Sequence, residues 1–223
     1  MREFSVTDFW FLVQSARWTV LLSLIAFLGG GLGGITIALM RVAKSRVLQG
    51  VAAAYIKVFQ GTPLLMQLYL IYFGTNLLGM AADAWFSVAL AMTLYASAFL
   101  GEIWRGCIRA IPRGQWEGAQ ALALSHNLQL RLVILPQALR VATPPTVGFL
   151  VQLVKGTSLA SIIGFTELTR AAEMVNNATF RPFTVYALVT LVYFALCWPL
   201  STLSRRLELR LGRQHLPTLK VQL

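Results

Sequence analysis

The chain has 223 residues, of which 57% are hydrophobic and only 12% are charged. Soluble domains usually carry about 25% charged residues, so this chain has too little polar surface to enclose a water-soluble core of its size. The composition excludes intrinsic disorder and also a nucleic-acid-binding domain, although the net charge is +11. Most of the chain therefore belongs in a lipid bilayer.

The chain offers little material for metal or redox chemistry. Its two cysteines, Cys107 and Cys197, lie far apart, and its only histidines are His126 and His215. This spacing matches neither a disulfide framework nor a Cys/His metal site. We therefore expect no histidine-based catalytic cluster, no bound metal and no cofactor.

Five apolar stretches are long enough to cross a bilayer as helices, which takes about 20 residues each. They are 20–40, 51–73, 85–103, 132–154 and 183–203. The first is too long for the hydrophobic region of a signal peptide and has no convincing cleavage site, so we expect it to stay in the mature protein. The sequence predicts an all-α polytopic membrane protein, with residues 1–223 as a single transmembrane domain.

Basic residues gather on one side of these five spans. Thirteen of the 19 would lie together: Arg41, Lys44, Arg46, Arg105, Arg109, Arg113, Arg131, Arg140, Arg205, Arg206, Arg210, Arg213 and Lys220. Five would lie on the other side: Arg2, Arg17, Lys155, Arg170 and Arg181. Because Lys and Arg concentrate in cytoplasmic loops, we expect the N-terminus outside and the C-terminus in the cytoplasm.

The segment 29–34 contains five glycines in two overlapping G-x-x-x-G patterns. In lipid, such small residues let helix backbones approach closely. We expect tight packing within a helix bundle, and a dedicated dimer seam is the alternative.

The cytoplasmic stretch 105–131 is too long for a simple connection between two spans. Within it, residues 117–124 are rich in Ala and Leu and predict a short helix, with Glu117 at its leading end, where the helix dipole favours an acid. One interpretation is a capped surface helix. The other is a docking element, whose small apolar face, formed by Ala119 and Leu122, fits a groove in a cytoplasmic partner.

This stretch resembles the cytoplasmic loop of binding-protein-dependent ABC importer permeases. The family signature is E-A-A, three residues, G, nine residues and I-x-L-P. This chain has Glu117, Gly118 and Ala119, then Ala123, then 133–136 at matching spacing. Further segments resemble the polar amino acid branch of the family, the histidine, glutamine and arginine permeases: 60–74, 97–106, 110–117 and 155–164. The resemblance covers about residues 15–210, in order.

The resemblance implies a type-1 ABC importer transmembrane domain in a bacterial inner membrane. Such a subunit is not an enzyme, and this chain has no G-x-x-x-x-G-K-[ST] loop for ATP. The implied partners are a cytoplasmic ATPase dimer, a periplasmic binding protein that delivers a polar amino acid, and a second permease, either an identical copy or a paralogue. The coupling residues implied by the motif and its flanks are Glu117, Gly118, Ala119, Leu122, Ala123 and Ser125.

Two positions depart from the family signature. Gly118 replaces its second residue, an Ala, and Ala123 replaces its Gly. Both side chains stay small, so close approach to a partner is preserved. A turn that requires a positive φ at position 123 would be strained by Ala.

Polar residues within the spans are candidates for a substrate pathway, because they are costly in lipid. They are Gln67, Glu102, Gln152, Lys155, Thr157 and Ser158. For Glu102, a structural pair with Arg105 on the same helix face is the first expectation, and Lys155 could instead extend to the membrane interface. We expect residues 61–63 to bend the second span.

On the outer side, Glu167, Arg170 and Glu173 fall on one helical stripe. This stripe is either a solvated face or a dock for the binding protein.

Two other classes of function are considered. An ion-coupled carrier or channel would not need the loop that contains Glu117, and five spans offer no inverted repeat of the usual kind. An integral-membrane enzyme would need paired acids or histidines near one interface, which the sequence does not offer.

Overall fold

The structure, a computed structural model, describes residues 2–80 and 83–212. Its α-helices are α1 (Val6–Val42), α2 (Arg46–Gly61), α3 (Leu64–Leu77), α4 (Ala84–Arg109), α5 (Arg113–Ala121), α6 (His126–Leu128), α7 (Leu135–Gly156), α8 (Leu168–Thr179) and α9 (Pro182–Gly212). A π-helical turn, Gln129–Ile134, joins α6 to α7, and a 3-10 helix, Thr157–Ile163, follows α7. Among the described residues, four helical segments are long and apolar enough to cross a membrane: Val6–Val42, Ala84–Arg109, His126–Ile163 and Pro182–Leu211.

The helix that carries the first predicted span begins well before residue 20. A capping box starts it at Val6, in which Ser5 accepts from the backbone N–H of Asp8 and the Asp8 carboxylate accepts from that of Ser5. Both bonds satisfy groups that a helix N-terminus otherwise leaves free. The part of α1 before residue 20 packs against α8 and α9 through Leu12 and Ala16.

The glycine run packs α1 directly onto α4. A Cβ atom added to Gly30 would lie 2.4 Å from the Cβ of Ala96, and one added to Gly34 would lie 3.0 Å from the Cβ of Leu100. Residue numbers rise together in both helices, so α1 and α4 run parallel. These glycines therefore serve packing within the chain.

The second predicted span, 51–73, is not one helix but two. Pro63 has no backbone N–H and disfavours helical geometry in the preceding residue, and Thr62 is accordingly extended, with φ −116° and ψ 141°. Because α1 and α4 are parallel, the chain between them must return across the bundle, which it does through α2 and α3. Residues 2–80 and 83–212 thus contain four helical segments long enough to cross a membrane and a broken fifth, in keeping with the predicted count of about five.

α7 runs antiparallel to both α4 and α9. Trp104 Nε1 donates to Thr146 Oγ1 over 2.9 Å near one end of α4, and Ser204 Oγ donates to the carbonyl of Pro144 over 2.8 Å. α7 continues as a helix through Pro144 and Pro145. The main core lies between α1, α3, α4 and α7 and includes Leu22, Leu68, Val88, Met92, Leu100, Phe149 and Leu153.

The two ends of the bundle differ in charge. The C-terminal ends of α1, α4 and α9 lie at the same end of the bundle as the N-terminus of α7, and we call this the basic end. The described bases there are Arg41, Lys44, Arg46, Arg105, Arg109, Arg113, Arg131, Arg140, Arg205, Arg206 and Arg210. The acids there are Glu102, Glu117 and Glu208. At the opposite, neutral end, Arg2, Arg17, Lys155, Arg170 and Arg181 are balanced by Glu3, Asp8, Asp83, Glu167 and Glu173. Two bases of the predicted grouping, Arg213 and Lys220, lie outside the described residues.

Candidate functional site

A short helix at the basic end holds the candidate coupling residues. α5 spans Arg113–Ala121 rather than the predicted 117–124, because Pro112 already has the fixed φ of a helix start and serves as its N-cap. Glu117 therefore lies in the middle of α5 and not at its leading end. The helix dipole consequently gives no reason for an acid at this position.

α5 is held against the bundle by one side. Ala119 is buried, and the ring of Trp116 stacks on that of His126, with centroids 6.2 Å apart. Gln137 Nε2, on α7, donates to Gln115 Oε1 over 3.1 Å. Trp116 also packs on the buried cluster that contains Ile134, so α5 is in direct contact with the π-helical turn and the start of α7.

The other side of α5 is open and consists of small residues around one acid. Cβ atoms added to Gly114 and Gly118 would meet nothing within 4 Å, and Leu122 is 74% exposed. Glu117 is exposed, and no ion pair within residues 2–80 and 83–212 includes it. This face thus presents an unpaired carboxylate on a surface that a partner can approach closely.

The turn after α5 requires left-handed backbone geometry at the position where the family signature has Gly. Ala123 has φ 52°, and its N–H bonds the carbonyl of Gln120 over 2.8 Å. The buried amide of Gln129 donates to the carbonyl of Leu124 over 2.7 Å. Ser125 is exposed just beyond this turn. The strain that the sequence led us to expect at position 123 is therefore present.

Comparison with known proteins identifies the family. Residues 30–213 match the family of binding-protein-dependent transport system inner membrane components. The chain belongs to this family. It is therefore a permease, a multi-pass inner-membrane transport subunit and not an enzyme, and such permeases work with a separate ATPase and a substrate-binding protein.

Similar permeases and structures align over most of the chain. The probable amino-acid ABC transporter permease protein YckA of Bacillus subtilis is 33% identical, with 87% of this chain and 86% of that protein covered. The L-cystine transport system permease protein TcyB of the same organism is 34% identical, with 92% of each covered. A crystal structure of an amino acid ABC transporter with histidines superimposes with a TM-score of 0.85 at 34% identity, covering 90% of this chain and 94% of that one.

A more distant structure supports the fold alone. The inward-facing MetNI methionine ABC transporter superimposes with a TM-score of 0.76 at 19% identity, covering 93% of this permease and 99% of that chain. The predicted type-1 importer fold is thus confirmed for the permease.

Three of the predicted pathway residues share one surface of the permease, near the neutral end of α7. Gln152 and Lys155 are both exposed, three residues apart, and Ser158 Oγ donates to the carbonyl of Lys155 over 2.7 Å. Gln152 Nε2 donates to the hydroxyl of Tyr95, on α4, over 3.1 Å.

The aromatic part of this surface was not predicted from the sequence. Tyr95 stacks with Phe149, and Phe99 stacks with Phe149 at a centroid distance of 5.6 Å. The four-residue spacing of Tyr95 and Phe99 was the available signal, but such spacing is also typical of an ordinary core helix. Only the antiparallel packing of α4 on α7 brings these rings together.

The other three pathway candidates do not lie on that surface. Gln67 is buried, and its amide donates to the carbonyls of Phe59, over 2.8 Å, and Thr62, over 3.0 Å, so it holds the break between α2 and α3. Thr157 is fully buried. Glu102 pairs with Arg105 as predicted, with Arg105 Nε 2.8 Å from Glu102 Oε2, two helical turns nearer the basic end than Tyr95.

The predicted outer stripe is wrong in one residue. Glu167 is fully buried, because its carboxylate caps α8 by accepting from the backbone N–H groups of Thr169 and Arg170, both over 2.9 Å. Burial raises the pKa of Glu167, although these bonds oppose the shift. Glu167 therefore cannot form a docking surface. Arg170 and Glu173 are partly exposed and pair with each other over 2.8 Å.

The described residues offer no metal site. Across 2–80 and 83–212, no three His, Cys, Asp or Glu side chains gather closely enough to hold an ion. Both cysteines, Cys107 and Cys197, are buried and free.

Proposed function

We propose that this permease carries a polar amino acid inward across the membrane, driven by an ATPase that docks on the exposed face of α5. The amino acid is the substrate class named for relatives that share about a third of their residues with this chain over nearly its full length. A binding protein delivers the substrate at the neutral end, where the Arg170–Glu173 pair is the candidate contact.

The observation that carries the coupling proposal is the free carboxylate of Glu117 on a face of small residues. Glu117 pairs with a base of the ATPase, and the glycine-rich face lets α5 enter a cleft. Closure of the ATPase dimer moves α5, and the contacts of Trp116 and Gln115 pass this movement to α7. α7 also carries Gln152 and Lys155, so the same rigid helix connects the coupling face with the pathway surface.

The proposed orientation follows from the charge of the two ends. The basic end lies in the cytoplasm, with the N-terminus outside. A second permease, an identical copy or a paralogue, completes the pathway opposite the surface of Tyr95 and Gln152.

The coupling proposal is tested by charge reversal at Glu117. The permease, its ATPase and its binding protein are reconstituted in vesicles, and uptake of labelled amino acid and ATP hydrolysis are measured. Glu117→Arg is expected to abolish uptake and the stimulation of hydrolysis by loaded binding protein. Glu208→Arg, the same change at an exposed acid of the basic end outside α5, is the matched control and should retain both. Unchanged uptake by Glu117→Arg refutes the proposal.

Orientation is tested separately with single cysteines. Because both native cysteines are buried, a membrane-impermeant thiol reagent should label Glu173→Cys from the periplasm and Glu117→Cys only after the membrane is opened. Labelling of position 117 in intact cells would invert the topology.

A further inference from the structure

Two adjoining cavities lie between α1 and the continuous helix formed by α6, the π-helical turn and α7. We call them the head cavity, of about 530 Å³, and the tail groove, of about 230 Å³. Leu39 lines both, so the two cavities adjoin at this residue, and we refer to them together as the depression. The head cavity lies at the basic end, and the tail groove lies within the membrane-crossing segments.

The tail groove is entirely apolar. Ile35 and Leu39 of α1 form one wall, and Leu139 and Ala142 of α7 form the other. Trp104 and Ile108 of α4 also line the groove. Leu39 is 46% exposed and Leu139 is 67% exposed, so the groove opens sideways. From Ile35 to Val42, which belongs to the head cavity, the depression extends about 10 Å along α1, given the rise of about 1.5 Å per residue. A narrow apolar slot at this depth fits a hydrocarbon chain.

The head cavity combines a cation with hydrogen-bond donors. Lys44, Ser125 and Asn127 line it, and their side chains carry an ammonium group, a hydroxyl and an amide. His126 also lines it, and the Nε2 atom of its ring is buried without a hydrogen-bond partner. None of the residues that line this cavity is acidic. The positive charge of Lys44 and the neutral donors beside it suit an anionic oxygen ligand.

The π-helical turn separates the two parts of the depression. Leu130, in this turn, lines the head cavity, whereas Leu139, one to two turns into α7, lines the tail groove. Single π-helical turns within longer helices are rare and often occur at functional sites. Here the turn forms the junction between a polar and an apolar wall of the same helix.

We propose that this depression binds one anionic phospholipid, with its phosphate at Lys44 and one acyl chain in the tail groove. Basic pockets between transmembrane helices at the cytoplasmic side are typical sites for acidic lipid headgroups. The bound lipid bridges α1 to the helix that supports α5. Only the assignment of the lipid to the cytoplasmic leaflet depends on the proposed orientation of the permease.

The test measures retention of defined lipids by the purified permease–ATPase complex in detergent. The complex is supplied with either dioleoylphosphatidylglycerol, which carries a net negative charge, or zwitterionic dioleoylphosphatidylcholine, and bound lipid is counted by native mass spectrometry. We expect phosphatidylglycerol to be retained about fivefold better, and Lys44→Gln to remove about that factor, as one lysine contributes near an acidic headgroup. Lys57→Gln, the same change outside the depression, should retain the wild-type preference.

A second pair of variants tests the tail groove. Ala142→Phe fills the groove and should reduce phosphatidylglycerol retention, whereas Ala54→Phe, on an exposed face of α2, should not. The melting temperature of each variant confirms that it is folded. Because retention is measured without transport or membrane orientation, its outcome is independent of the proposed function.

Three outcomes would overturn the proposal. The first is equal retention of the two lipids with no effect of Lys44→Gln. The second is displacement of bound lipid by millimolar inorganic phosphate together with no effect of Ala142→Phe, which would indicate a site for a free anion. The third is lipid binding only after the second permease has dissociated, which would show that protein covers the depression.

Discussion

The hydroxyl of Tyr193 donates a 2.9 Å hydrogen bond to the carboxylate of Glu167, 26 residues earlier in the chain. The same hydroxyl lies 2.9 Å from Thr169 Oγ1. These contacts tie α9 to the first turn of α8, and the backbone N–H of Leu168 bonds Thr19 Oγ1, on α1, over 3.3 Å. α8 is thus anchored at its N-terminus to two membrane-crossing helices.

The burial of Glu167 predicts a pH-dependent stability. Because burial raises its pKa in the folded chain, the folded state holds this proton more tightly than the unfolded state. The resulting stabilisation is complete below the ordinary value of 4.5 and is lost as the pH rises through the folded pKa. Thermal unfolding in detergent should therefore show wild type losing stability relative to Glu167→Gln as the pH rises from 4.5. Glu173→Gln, at a partly exposed acid, should follow wild type, and parallel curves for wild type and Glu167→Gln would contradict the expectation.

The left-handed geometry of Ala123 predicts a stabilising substitution. Ala123→Gly should gain about 1 kcal/mol, because a residue with a Cβ atom is strained at φ 52° and Gly is not. Ala121→Gly, in the last turn of α5, should instead lose about 0.5–1 kcal/mol. Melting temperature and the rate of proteolysis within the loop 105–131 measure both changes. A loss of stability in Ala123→Gly would show that the turn is not strained.

Two adjacent glycines in α1 are expected to differ in the loss of stability that the same substitution causes. Gly30→Ala places a methyl group 2.4 Å from the Cβ of Ala96 and should cost about 1–3 kcal/mol by forcing α1 and α4 apart. Gly31→Ala meets only the far edge of the Trp104 ring, at 3.8 Å, and should cause no loss. Thermal unfolding of both variants provides the comparison. Equal effects would contradict the parallel packing of the two helices.

Gln67 is expected to stabilise the break between α2 and α3. Gln67→Leu removes the amide N–H donors and leaves the carbonyls of Phe59 and Thr62 unsatisfied, at a cost of about 1–3 kcal/mol. Loss of the Gln67 Oε1 atom, which is buried without a partner among the described residues, offsets part of this cost. Gln60→Leu, the same change at an exposed residue of α2, should cost much less. The difference in melting temperature between the two variants is the measurement. If they are equally stable, the amide of Gln67 does not hold the break, and a substrate role for it regains support.

Much of the molecule could be predicted from local properties of the sequence. Hydropathy marked the membrane-crossing segments, the distribution of bases separated the two ends, and the spacing from Glu117 to Pro136 carried the family resemblance. The Glu102–Arg105 pair was also predictable, because residues three apart on a helix are neighbours whatever surrounds them. The exact start of α5 could not be predicted, because a proline such as Pro112 can either end one helix or begin the next.

Only the tertiary structure decided which polar residues are buried and what they contact. Glu167, Arg170 and Glu173 have equivalent spacing in the sequence, yet packing of α8 against α1 and α9 buries the first and leaves the other two partly exposed. In the same way, the antiparallel register of α4 and α7 joins Tyr95 to Gln152, and the packing of α1 near α7 creates the depression around Leu39. Such features depend on residues 26 to 149 positions apart. Local periodicity reports which face of a helix is apolar, but it does not report which other helix will cover that face.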